Sequence, residues 1–153
     1  MLFRSLQLLA LFAPEHGLEA TADTDVASGR DSRTGLPVFS LYGQTPRPTP
    51  AMLQGIEVIV IDLPDVGARF FTYMTTVAYV MEEAAKAGAA VMVLDRPNPI
   101  TGLNIEGPTL STDLTSFVGY FPMPVRHGLT LGELAQLFNG EKNLRTNLSV
   151  VTA

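Results

Sequence analysis

The segment from Ile56 to Asp95 most constrains what this chain can fold into. "IEVIVIDL", Ile56 to Leu63, is apolar and rich in β-branched residues, the pattern of a strand buried on both faces, hence central and parallel. Phe70, Tyr73, Met74, Val77, Met81 and Ala84 then recur with a helical period. Gly88 can stop that helix by taking a left-handed conformation. "AAVMVLD" gives a second buried strand, Ala89 to Leu94. Strand, helix and strand in this order make a β-α-β unit, whose crossover should be right-handed.

The flanking segments extend the same pattern. Leu8 to Phe12 is a short apolar run read as a buried strand, and Val38 to Leu41 as another. Thr49 can cap a short helix that starts at Pro50 and ends near Gly55. Thr130 and Glu133 form a capping box before a helix running to Phe138, and "LSVVT" is a last strand. Residues 19 to 36 read as a long polar loop and residues 103 to 128 as irregular. The order β, β, α, β, α, β, α, β predicts an α/β, Rossmann-like domain with a mainly parallel sheet flanked by helices. Its 153 residues suffice for one core, and 46% hydrophobic against 16% charged residues argues for folding rather than disorder.

Several function classes are disfavoured. Without cysteine there is no thiolate nucleophile, disulfide or Cys-based zinc site. A net charge of -5 with no Lys/Arg cluster speaks against nucleic acid. No apolar run is long enough for a membrane span. "MLFRSLQLLALFAP" has one Arg and no small-x-small cleavage site, so it reads as an amphipathic segment entering a strand rather than as a signal peptide. There is no G-x-S-x-G elbow, phosphate loop or G-x-G-x-x-G, and the two histidines match no metal spacing. No metal and no cofactor are expected.

In parallel α/β sheets ligands sit beyond the carboxyl ends of the strands. Glu15-His16, Asp62 with Asp65, and Asp95-Arg96 all follow predicted strands, so ionisable groups should converge on one rim. Glu15 can be a general acid with a pKa raised by partial burial, or a turn residue beside a structural His16. Glu106 in "IEGP" is a second carboxyl, or a solvated turn residue. Asp65 can serve chemistry, or cap a helix starting near Ala68. Arg69 can bind Asp62 or a substrate carboxylate. Asp95 and Arg96 can form a local ion pair, or a hydroxyl acceptor beside an anion clamp. Arg126-His127-Gly128 repeats the pattern of Glu15-His16-Gly17, and His127 can cap or donate. Tyr42 and Tyr120 can wall a sugar ring, whereas Tyr73 falls on the apolar helix face. A rim rich in carboxylates, arginine and histidine suits acid/base hydrolysis, most simply of a glycosidic bond by two carboxyl groups.

"LFAPEHGL", "TGLPVFSLYG", "PTPAMLQGIEVIVIDLPDVGARFFTY", "VLDRPNPITG", "EGPTL" and "SFVGYFPMPVRHGLTLGELAQLFNGE" together resemble the exo-β-N-acetylmuramidase (NamZ-type) family, from about Leu9 to Val151. The resemblance implies a Rossmann-like catalytic domain that removes N-acetylmuramic acid from the non-reducing end of peptidoglycan fragments. It also implies a bacterial, usually exported protein. The glutamate of the family's P-E-H-G motif falls on Glu15, the expected catalytic carboxylate, with Glu106 or Asp65 assisting. His16, Arg69, Asp95, Arg96, Asn98, Arg126 and His127 fall on other motif positions and are expected to bind substrate. An arginine among them would hold the lactyl carboxylate. The family's preceding strand with its T-N-x-T-G loop and its C-terminal domain have no counterpart here. Leu63-Pro64 stands where isoleucine-glutamine is common, and Glu19-Ala20 where glycine is usual. The chain is therefore expected to be a single catalytic domain over residues 1–153, truncated at both ends, with a non-catalytic cell-wall sugar-binding module or an inactive fragment of such an enzyme as the alternatives.

Overall fold

The computed structural model describes residues 6–18 and 28–152. The N-terminal methionine-to-Ser5 portion of the amphipathic segment, residues 19–27 of the expected loop, and the Glu19-Ala20 departure lie outside the described residues. The chain divides into two compact units, residues 1–46 and 47–153.

In the first unit, β1 (Leu11–Ala13) pairs in parallel with β3 (Pro37–Ser40), and β2 (Gly29–Arg30) pairs antiparallel with β3. The strand order is β1-β3-β2. Phe12 and Phe39 are register partners, and their rings meet at 5.6 Å. The part of the expected loop that is described is a hairpin. Its tip closes through Asp31, whose carboxylate accepts the Thr34 N–H at 2.7 Å.

In the second unit, β4 (Val58–Ile61), β5 (Ala90–Leu94) and β6 (Asn147–Val151) form a parallel sheet in that order. Helix α1 (Tyr73–Ala87) connects β4 to β5, so the β-α-β unit read from the sequence is present. Helix α2 (Leu131–Glu141) precedes β6. Met74, Val77, Met81 and Ala84 of α1, Leu134, Ala135 and Phe138 of α2, and Ile59, Ile61, Val91 and Val93 of the sheet are buried and form the core. Gly88 caps α1 with φ 74° and the Thr130–Glu133 capping box opens α2, both as the sequence requires. Asn139 holds both backbone groups of Thr146 at 3.0 and 3.1 Å, and so fixes the entry from α2 into β6.

Four expectations need correction. β4 is terminal in this sheet rather than central, and Val58 and Val60 are 47% and 56% exposed. An apolar β-branched run does not distinguish an edge from a centre when only one face is covered. The helix expected from Pro50 to Gly55 is a set of turns, because so short a segment cannot repay helix nucleation. Helix α1 begins at Tyr73, not near Ala68, with Thr72 as its N-cap residue and Phe70 outside it. Tyr120, offered as a sugar wall, is buried against Phe138 with ring centroids 4.9 Å apart.

Candidate active site

Pro14-Glu15-His16-Gly17 follows directly on β1. The Gly17 N–H donates to the Pro14 carbonyl at 3.1 Å and closes a tight turn. His16 has φ 71° and Gly17 φ 79°. Glycine adopts such a φ freely, but a histidine does so only at a cost of about 1–3 kcal/mol. The strain sits on an exposed imidazole, next to the half-buried Glu15 and the buried Pro14. Such strain persists only where the surrounding structure over-determines the backbone.

In the second unit, every other residue singled out from the sequence lies in the two segments that follow β4 and β5. Asp62 and Arg96 stand one and two residues past their parallel strands and pair with each other, Arg96 Nε to Asp62 Oδ1 at 3.1 Å. Both side chains are more than half exposed, 54% and 55%. The ion pair is therefore between strands and not the local Asp95–Arg96 pair that adjacency suggested. Asp95 turns to α2, where Oδ2 accepts the Thr130 hydroxyl at 2.7 Å and Oδ1 the Gly132 N–H at 2.8 Å. The carboxylate thus satisfies a helix N-terminus. Only glycine fits at 132, because a Cβ there would stand 2.5 Å from Val150 and 2.7 Å from the Asp95 carboxyl carbon.

Asp65 caps no helix. Its Oδ1 accepts the Gly67 N–H at 2.6 Å, an Asx turn, and lies 3.5 Å from His127 Nε2. The two side chains are 5% and 1% exposed. Arg69 does not reach Asp62; its Nη1 donates to the carbonyls of Pro108 at 2.9 Å and Met123 at 2.5 Å. Asn98 Nδ2 donates to the Leu129 carbonyl at 2.9 Å, and its Oδ1 accepts the Ile100 N–H at 3.0 Å. Glu106 and Arg126 exchange backbone hydrogen bonds at 2.9 and 3.1 Å. The Arg126 side chain then holds the Glu106 carboxylate, Nη1 to Oε2 at 2.9 Å, and donates to the Ile100 carbonyl. Glu106 remains 64% exposed, an outward carboxylate on a fixed backbone.

Arg69 therefore ties the first segment to the second, while Asp95, Asn98 and Arg126 brace the second within itself and against the start of α2. Asp62, Arg96 and Glu106 are left at the surface, with Asp65 and His127 beneath it. Among the described residues, no three His, Asp or Glu side chains converge as a metal site requires, and no helix is long and apolar enough to cross a membrane.

A family model described as Exo-beta-N-acetylmuramidase NamZ, N-terminal, matches residues 1–153. The chain belongs to this family. It is 51% identical over 148 residues to the Bacillus subtilis protein named Peptidoglycan beta-N-acetylmuramidase NamZ, covering 95% of this chain and 36% of that protein. It therefore spans about a third of the length of that relative. Two crystal structures of domain-of-unknown-function family proteins from Bacteroides fragilis are also similar. One has a TM-score of 0.85 and 49% identity over 94% of this chain and 36% of its own. The other has a TM-score of 0.80 and 36% identity over 94% of this chain and 38% of its own.

One polar cluster in this family member carries no mark in the sequence. Arg47 stacks on the Tyr79 ring at 3.6 Å and pairs with Glu82, which also accepts the Tyr120 hydroxyl at 2.7 Å. Lys142 lies 3.8 Å from the centre of the Tyr120 ring. These side chains line a depression of about 170 Å³. Burial pushes the Glu82 carboxyl up, but the Tyr120 hydroxyl and Arg47 outweigh it and hold the group below its ordinary range. Burial, and then Glu82, push the Tyr120 hydroxyl well above its ordinary value. A depressed carboxyl stabilises the fold above its unfolded pKa, and this contribution is lost as pH falls through the folded value. Glu82→Gln is accordingly expected to cost stability near neutral pH. That deficit should shrink below about pH 4.5 in denaturant melts run across the acid range.

Proposed function

We propose that the chain is a glycoside hydrolase that releases N-acetylmuramic acid from the non-reducing end of peptidoglycan fragments, with Glu15 as the acid/base carboxyl. The observation that carries this reading is the strained Pro14–Gly17 turn, which presents Glu15 at the carboxyl end of a parallel strand. A half-buried carboxyl can protonate the glycosidic oxygen, and the departing sugar then needs no activated leaving group. Glu106, outward and oriented by Arg126, is taken as the assisting carboxyl. His16, at the tip of the turn, binds a sugar hydroxyl. Such a substrate sets the work in the cell envelope, in keeping with an exported protein.

Muramic acid differs from glucosamine by a lactyl ether with a carboxylate, so selectivity needs a cation. Arg69 is spent on two backbone carbonyls and Arg126 on Glu106 and a carbonyl. Arg96 is more than half exposed and pairs with the equally exposed Asp62. An exposed pair is worth little, so a substrate carboxylate can displace Asp62 from the guanidinium fork. Arg96→Ala is therefore expected to raise KM about 10- to 100-fold for nitrophenyl β-N-acetylmuramide, the loss of one charged hydrogen-bond pair, with kcat largely kept. Hydrolysis of the matching N-acetylglucosaminide should not change. An equal loss on both substrates would remove Arg96 from lactyl recognition.

A further inference from the structure

We propose that Asp65 and His127 are a buried positioning pair that sets the Glu106 carboxylate through Arg126, and do not touch the sugar. This inference rests on the reading of Glu106 given above. The side chains are 5% and 1% exposed, too deep for a ligand at the surface. His127 Nδ1 accepts the Leu129 N–H at 3.2 Å, so in the neutral ring the proton sits on Nε2 and faces Asp65 Oδ1 at 3.5 Å. Asp65 Oδ2 and His127 Nε2 are buried without a hydrogen-bond partner. The Asx turn to Gly67 uses only one carboxyl oxygen, Oδ1. The buried Oδ2 takes no part in that turn.

His127 sets the pair against the segment 125–128. Its backbone is tied on one side to the Arg69 N–H, through the Val125 carbonyl at 2.8 Å, and on the other to Glu106, through the exchanged bonds of Arg126. Gly67 fits the junction tightly: a Cβ there would lie 2.5 Å from Asn98 Oδ1 and 2.6 Å from Ile100 Cγ1. His127 follows Arg126 directly, and Arg126 carries the guanidinium that orients Glu106. The route therefore runs from Asp65 to His127, along the backbone to Arg126, and from its side chain to Glu106.

The test is a double-mutant cycle in the full chain on nitrophenyl β-N-acetylmuramide. His127→Ala should lower kcat about 10- to 100-fold with KM nearly unchanged, as loss of a supporting contact does. His127→Gln, which restores an N–H near the Nε2 position, should recover most of that loss. The double variant with Glu106→Gln should be no slower than Glu106→Gln alone. Losses that multiply, or a Glu106→Gln variant as fast as the parent, would overturn the proposal. Where His127→Ala does not fold, Asp65→Asn takes its place in the cycle. Carboxyl-¹³C spectra of glutamate-labelled chain separate this proposal from the hydrolase reading. If the parent chain turns over no muramide, that reading fails, yet the Glu106 resonance still answers. It should move in His127→Ala and stay in place in Val91→Ala; an unmoved Glu106 signal in His127→Ala overturns the pair.

Discussion

Glu15→Gln is expected to slow hydrolysis of nitrophenyl β-N-acetylmuramide by about 10²- to 10⁴-fold, the usual contribution of a positioned acid/base group. Glutamine keeps the shape of glutamate and its capacity to accept hydrogen bonds, so the turn closed by Gly17 on Pro14 should survive. Melting temperature and KM should therefore stay near those of the parent, and the loss should fall on kcat. The phenolate leaving group adds a further check. Nitrophenol needs less help from an acid than a sugar does, so a general acid at Glu15 predicts a smaller loss on this substrate than on a disaccharide. A loss shared equally between kcat/KM and stability would instead mark Glu15 as part of the frame of the turn.

The largest effect on stability should come from Phe138→Ala. Phe138 is fully buried on α2, and its ring meets those of Tyr120 at 4.9 Å and Phe121 at 5.7 Å. Truncation removes apolar contact and two aromatic pairs and leaves a cavity between helix and loop. The cost should be about 3–5 kcal/mol, or a fall in Tm of about 6–20 °C for a chain of this size. Tyr120 would lose one wall of its pocket, so its bond to Glu82 should loosen as well. A calorimetric scan of the two chains checks this directly. A fall of less than about 1 °C would mean that α2 does not pack as described.

The features legible in the sequence are local. The β-α-β unit follows from periodicity over neighbouring residues, and Gly88 and the Thr130–Glu133 box work within one helical turn. The fold class followed from these. What stayed illegible is the choice of distant partner. Asp95 sits beside Arg96 in sequence, yet it bonds to Thr130 and Gly132, and Arg96 crosses to Asp62. Arg69 could have met a carboxylate but satisfies backbone carbonyls of a segment without regular structure, where unpaired groups need donors. Such choices depend on the path of residues 96 to 130, which carry no period. The glycines offered a signal that could have been used. Gly67 and Gly132 both mark close approaches, and both lie against residues of the rim, Asn98 and Asp95. The Arg47–Glu82–Tyr120 cluster had no signal at all, since its members come from three separate parts of the chain.

The central claim is tested most directly by incubating the chain with the disaccharide N-acetylmuramyl-β-1,4-N-acetylglucosamine and following both monosaccharides by mass spectrometry, with Glu15→Gln in parallel. The account predicts free N-acetylmuramic acid and N-acetylglucosamine in equal amounts from the parent chain, and almost none from the variant. A folded parent chain that binds the disaccharide but releases neither sugar would contradict it, and would leave a muramic acid-binding module in its place.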